Sequence, residues 1–202
     1  TIETGFMLNL GTERLKNELQ DLTIDRGLNF RSHAHSPSNP INATTLTGYA
    51  DWNLDNKGKL LSLTYNYFNK TTRSTSHIST TEGASSSMMN NSGNNSYKIH
   101  AIKLDATLPF NAVNMEIGAA YTSIGNTSAI STETLTGGVW TKLLGQDNDF
   151  CYTEKTNAAY VSLSKDLSPK WYVQAGLRFE HTHLTGRNVA VHNKQSYNRL
   201  FP

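Results

Sequence analysis

The chain has 202 residues, 18 Lys plus Arg against 16 Asp plus Glu, and a 37% hydrophobic share. A mean hydropathy of -0.49 and the lack of any run of about 18 apolar residues exclude a transmembrane helix, though not a membrane barrel, whose strands alternate and stay modest in mean hydropathy. Scattered basic residues with no stripe argue against a nucleic-acid partner, and the lone Cys151 excludes an internal disulfide framework.

In chain order, residues 1–40 are the least readable. GFMLNLG fits a strand. TERLKNELQDL sets Leu15, Leu19 and Leu22 at helical spacing, but its flanks alternate like strands, so 12–25 are expected to be strand rather than helix. From Thr44 the pattern sharpens. TTLTGYADWNL reads as a strand, DNKG as a tight turn of residues that tolerate positive φ, and LLSLTYNYFNK as the returning strand. Leu61, Leu63, Tyr65 and Tyr67 fall on one face, opposite Ser62, Thr64 and Asn66. Residues 74–96 are polar and read as a long loop. The next hairpin is KIHAIKLDATL, the turn PFNAVN and NMEIGAAYTSI. Another polar stretch, 125–149, is followed by TNAAYVSLS, the turn KDLSPK and WYVQAGLRFEHTHLTG. The expected fold is all-β, an antiparallel up-and-down meander. It has three hairpins over 44–202, each joined by a short turn, with long outer loops near 70–98, 125–150 and 184–196.

Such alternation suits either a half-buried soluble strand or a strand with lipid on one side and water on the other. Four features favour the second. Short and long connections alternate, as in outer-membrane barrels. Trp52 and Trp171 lie beside short turns on the apolar faces, and Phe110 lies in one, as an interfacial girdle would place them. Asp51, Lys103, Asp105, Glu116, Arg178 and Glu180 occupy the opposite faces, where a wet lumen would accept them. Strands of about 10 residues match a tilted span. A soluble sandwich or a surface β-module of binding or adhesive type remains the alternative.

Specific segments add to this. TGYADWNLDNKGKLLSLTYNYFNK (47–70), KLDATLPFNAVNMEIGAAYTSI (103–124) and NAAYVSLSKDLSPKWYVQAGLRFEHTHLTG (157–186) resemble the barrel domain of TonB-dependent outer-membrane receptors of Gram-negative bacteria. GLRFEHT (Gly176–Thr182) matches that family's Gly-Leu-Arg-aromatic-Glu-x-Thr strand, and SYNRLFP (196–202) resembles the opening of its next strand. The resemblance runs from Asn42 to Pro202. It implies a barrel of about 22 strands filled by an N-terminal plug and energised by a TonB system. It also implies uptake of a bulky nutrient of the siderophore, cobalamin or glycan class. The implied partners are the lipid bilayer, the plug, the TonB system and a substrate left open here. No plug, TonB box, signal peptide or closing strand is recognisable, and both ends look cut. The chain is therefore expected to be a fragment of a single barrel domain, about seven or eight strands of a larger barrel.

Individual residues carry weaker signals. Arg178 with Glu180, and Lys103 with Asp105, are placed to form lumen ion pairs, with Glu116 able to complete a network. Each has a plainer reading as a solvated pair. His181 with His183, and His33 with His35, have strand spacing but no third ligand, so metal is not expected. Asp147 and Asp149 lack an EF-hand pattern. Met88 and Met89 fall in the longest polar stretch. No nucleophile elbow, phosphate loop or zinc-hydrolase motif is present, so neither enzymatic activity nor a cofactor is expected.

Overall fold

The computed structural model describes residues 1–25, 28–143, 145, 148–188 and 190–202, and their side chains other than those of 20–25, 28–30 and 38. The strands are β1 (Ile2–Asp25), β2 (Leu28–Asn53), β3 (Leu60–Glu82), β4 (Ser85–Pro109), β5 (Asn114–Thr136), β6 (Val139–Lys142), β7 (Asn148–Ser168), β8 (Trp171–Arg187) and β9 (His192–Phe201). They form one antiparallel sheet in the order β1-β2-β3-β4-β5-β7-β8-β9, with the short β6 folded back on β5. Residues 12–25 are strand, as their flanks predict. Their ladder with β2 carries an irregularity between Leu15 and Asn17.

The three predicted hairpin turns are present, all at one end of the sheet, between β2 and β3, β4 and β5, and β7 and β8. Asp55 closes the first, its Oδ1 accepting the N–H groups of Lys57 (2.8 Å) and Lys59 (3.1 Å). Gly58 takes a φ of 89° there, a conformation that side chains disfavour. In the second turn Phe110 N–H donates to the Val113 carbonyl at 2.9 Å.

At the other end the structure corrects the sequence reading. Most of 70–98, 125–150 and 184–196 is not loop but paired strand. β3 and β4 stay in register out to Glu82 and Ser85, around a turn at Gly83 and Ala84. β5 and β6 turn through Gly137 and Gly138, with φ values of 60° and 80°, matching a two-residue hairpin that needs positive φ at both centres. The misreading has a physical cause: a ladder is held by backbone bonds and needs no apolar side chains. Thr suits a strand, and polar pairs bridge it, as His77 Nδ1 does with Asn90 Oδ1 at 2.6 Å. The strands β1–β5 and β7 run 21 to 26 residues, about twice the 9–11 that a tilted membrane span needs.

Register sorts the side chains into two faces. Trp52, Leu61, Ala106, Ile117, Val161 and Leu177 share one row across β2–β8. Leu63, Leu104, Ala119, Ala159 and Phe179 share the next. β1 extends this apolar face with Ile2, Phe6, Leu8 and Leu10, each more than half exposed. No second layer covers it. Among the described residues Ala158 is the only buried hydrophobic one. The accessible surface is 14177 Å², against about 9,400 Å² for a compact monomer of this mass. The sheet alone has no core, so its apolar face must be solvated by something other than water.

Candidate functional site

The opposite face carries the polar residues. Asp51, Ser62, Asp105, Gly118, Tyr160 and Arg178 form one row across it. Thr64, Lys103, Ala120, Ala158 and Glu180 form the next. Two ion pairs predicted along single strands are present: Lys103 Nζ to Asp105 Oδ2 at 2.8 Å and Arg178 Nε to Glu180 Oε1 at 2.6 Å.

Tyr160 joins them, a residue that sequence reasoning passed over. Its hydroxyl donates to Asp105 Oδ1 across Gly118, the residue between them in the row. Lys103 Nζ and the Arg178 guanidinium each stand 5.5 Å from the centre of its ring, within the range of a cation–π attraction. Gly118 makes this possible, because a Cβ there would overlap the end of the Tyr160 ring. The ring covers the glycine, a recurring way to compensate a glycine inside a strand. The signals available were a Tyr on the polar parity of its strand and a Gly inside a well-formed one. Only register brings them side by side.

Asp51 and Glu116 stay outside this cluster. Asp51 lies two strands from Asp105 and stands in register with Glu3 and Ser62. Glu116 does not complete the network as anticipated. Its row contains Thr107 and Ser162, one step nearer the short turns, and no hydrogen bond or ion pair reaches it among the described residues.

The remaining sequence candidates are dispersed. Trp52 and Trp171 stand on the apolar face, 50% and 70% exposed. His181 and His183 extend that face outward and bond across to β9, to Asn198 and Ser196, each at 2.7 Å. His33 Nε2 meets Glu18 at 2.9 Å. Among the described residues no group of three or more His, Cys, Asp or Glu could hold a metal ion. The Asp147 reading lies outside the described residues.

A meandering sheet of long strands, apolar on one face and ionic on the other, with aromatics near the turn end, is the wall of an outer-membrane β-barrel. The chain belongs to the outer membrane protein beta-barrel family, whose model matches residues 52–202. Its place is therefore the outer membrane of a Gram-negative bacterium. No curated protein matches it in sequence. Among solved structures it is similar to the ferric preacinetobactin receptor from Acinetobacter baumannii, with a TM-score of 0.52, 8% identity, and coverage of 98% of this chain and 37% of that one. It is also similar to a copper transporter, with a TM-score of 0.46, 10% identity and coverage of 98% and 41%. The unliganded ferric citrate transporter gives a TM-score of 0.41, 12% identity and coverage of 98% and 40%. The chain thus spans about two fifths of the length of these proteins.

Proposed function

We propose that the chain forms part of the barrel wall of a TonB-dependent receptor that takes up a bulky nutrient of the siderophore, cobalamin or glycan class. The observation that carries this is the two-faced sheet with no core, within a family of outer-membrane barrels. The likeness to the solved ferric preacinetobactin receptor supports the receptor type of barrel. The exposed apolar face meets lipid. The Lys103–Asp105–Tyr160–Arg178–Glu180 cluster lines the lumen, where it would order the wall facing a plug domain of the full-length protein. The short turns face the periplasm, and the long polar hairpins reach outward to meet substrate first. Catalysis has no part in this. β1 and β9, which are not paired to each other, continue into further strands of a larger barrel.

The test uses cells that carry or lack the full-length gene, given ferric siderophores, cobalamin or glycans as sole source. Uptake that depends on the gene and stops with a protonophore supports an energised receptor. Uptake indifferent to the protonophore would reduce the reading to a passive pore, and no gene dependence on any substrate would overturn it.

A further inference from the structure

Beyond Ser74 the β3–β4 hairpin is mostly Ser, Thr and Asn, and several of its exceptions gather on one face. His33, Ser79 and Met88 form one row across β2, β3 and β4. His77 stands two residues from Ser79 on the same face, opposite His35. The short Ser79 side chain is therefore flanked by two imidazoles and a thioether, the Cα atoms of His33 and Met88 lying about 10 Å apart by ladder geometry. Trp140 walls the same hollow from the β5–β6 hairpin, and the cavity these residues line is about 260 Å³. Met88 and Trp140 are 46% and 42% exposed, so neither fills a core.

Both imidazoles are already oriented. His33 Nε2–H donates to Glu18 Oε1 at 2.9 Å, and His77 Nδ1–H donates to Asn90 Oδ1 at 2.6 Å. Each bond fixes a tautomer and leaves the other ring nitrogen without a partner among the described residues. A metal-ligating histidine is held by an outer acceptor in this way. The donor set selects the ion. No three of His, Cys, Asp and Glu converge among the described residues, as a zinc site would need. Two neutral imidazoles and a thioether suit a soft monovalent ion of low coordination number, and an indole face adds attraction for a cation.

Height decides what reaches the hollow. His77 lies sixteen residues along β3 from Leu61, the partner of Trp52. In strands tilted about 40° that is a rise of about 40 Å, and an apolar band about 25 Å tall ends well below it. Here the face that meets lipid lower down stands in water.

We propose that His33, His77 and Met88 form a site for a soft monovalent metal ion, Cu(I), on the outer surface of the long hairpins. The free nitrogens of the two imidazoles and the Met88 sulfur bind the ion above Ser79, and Glu18 and Asn90 hold the rings. The bound ion bridges β2, β3 and β4 just beyond the irregularity between His35 and Ile41, so it also clips the hairpin where backbone pairing resumes. The site does not depend on which nutrient the receptor takes up. Its contact with the medium rests on the facing assigned above, in which the long hairpins point outward.

The test uses the full-length protein in detergent, labelled with carbon-13 at the methionine methyl groups. It is titrated with Ag(I), a redox-inert stand-in for Cu(I), and separately with Zn(II). Ag(I) should shift the Met88 methyl resonance, assigned by its loss in Met88→Leu, and Zn(II) at the same concentration should leave it in place. His33→Gln/His77→Gln should weaken Ag(I) at that resonance by more than about a hundredfold, and Glu18→Gln by about tenfold, the lower end of what a lost outer partner costs. His181→Gln/His183→Gln, the other closely spaced imidazoles, should bind as wild type. A Met88 resonance unmoved by Ag(I), or moved as readily by Zn(II), overturns the proposal. So does unchanged Ag(I) affinity in an assembled His33→Gln/His77→Gln protein, and should that variant fail to assemble, the two wild-type titrations decide. Facing is read separately, by labelling Ser86→Cys in a Cys151→Ser background with an impermeant maleimide on intact cells. Absence of that label overturns the contact with the medium and the outward facing in the receptor reading, whereas lost binding overturns the site alone.

Discussion

Trp52 and Trp171 share the apolar face but not a ladder row: the β8 partner of Trp52's row is Leu177, six residues from Trp171. Five strand steps separate β2 from β8 in the sheet. At about 4.8 Å per step and 3.3 Å per residue, the two rings reach one height only if the strands tilt by about 40°. Membrane barrels tilt by about 35–45°. The short turns step along the ladder in the same sense, from the Asn53–Leu60 pair to Pro109–Asn114 and then Ser168–Trp171. A single girdle at one interface therefore requires sheared strands and not upright ones. Polarised infrared dichroism of the full-length protein in oriented bilayers should give a strand tilt near 40°. A tilt below about 25° would separate the two tryptophans by depth and end the girdle assignment.

Much of this was legible in the sequence because alternation is a local property. LLSLTYNYFNK and WYVQAGLRFEHTHLTG each show their two faces without reference to any neighbour. DNKG and KDLSPK mark turns by residue type alone. The outer hairpins were not legible, because Ser, Thr and Asn runs carry no alternation and read as loop even where a ladder holds them. Nor was Tyr160. Its partners Asp105 and Arg178 come from β4 and β8, and only register places all three around Gly118. The ion pairs were found because both members sit two apart on one strand, and Glu116 was misjudged because its neighbours are set by pairing.

Leu177 and Gln174 lie on opposite faces of β8, Leu177 in the apolar row of Val161 and Gln174 bonded to Ser162 Oγ at 3.0 Å on the polar face. Leu177→Arg should cost about 2–4 kcal/mol near the midplane and block assembly of the full-length protein, seen as loss of the heat-modifiable band in gels. Gln174→Arg should assemble almost as wild type. Equal defects would refute the assignment of faces.

Asp55 lies in the short turn between β2 and β3, outside the spanning segments. The backbone N–H groups of Lys57 and then Lys59 hold its carboxyl below the usual aspartate range, and the Lys59 ammonium at 3.2 Å acts in the same direction. A lowered folded-state value means the stabilisation is present above the ordinary value of 3.8 and is lost as pH falls through the folded one. Carbon-13 titration of labelled Asp55 should show a midpoint below 3.8, and Asp55→Asn should remove the acid-sensitive step in turn exchange. A midpoint at or above that value would mean the two N–H bonds do not persist in the membrane-bound protein.

Gly118 and Tyr160 should be energetically coupled. A Cβ at Gly118 overlaps the end of the Tyr160 ring and comes within 2.7 Å of Asp105 Oδ1. Gly118→Ala must therefore push the ring away from Asp105, Lys103 and Arg178 together. A cost of about 1–3 kcal/mol is expected from such overpacking, measured as a shift in the urea midpoint of the full-length protein in liposomes. In a Tyr160→Ala background the obstacle is gone, and Gly118→Ala should then be near neutral, because alanine is the better strand residue. Tyr160→Phe separates the two contributions of the ring. It keeps the cover over Gly118 and the contact with both cations but loses the bond to Asp105, so it should cost less than Tyr160→Ala. If Gly118→Ala costs the same with and without the tyrosine, the ring does not rest on the glycine, and the two ion pairs are independent rather than joined through it.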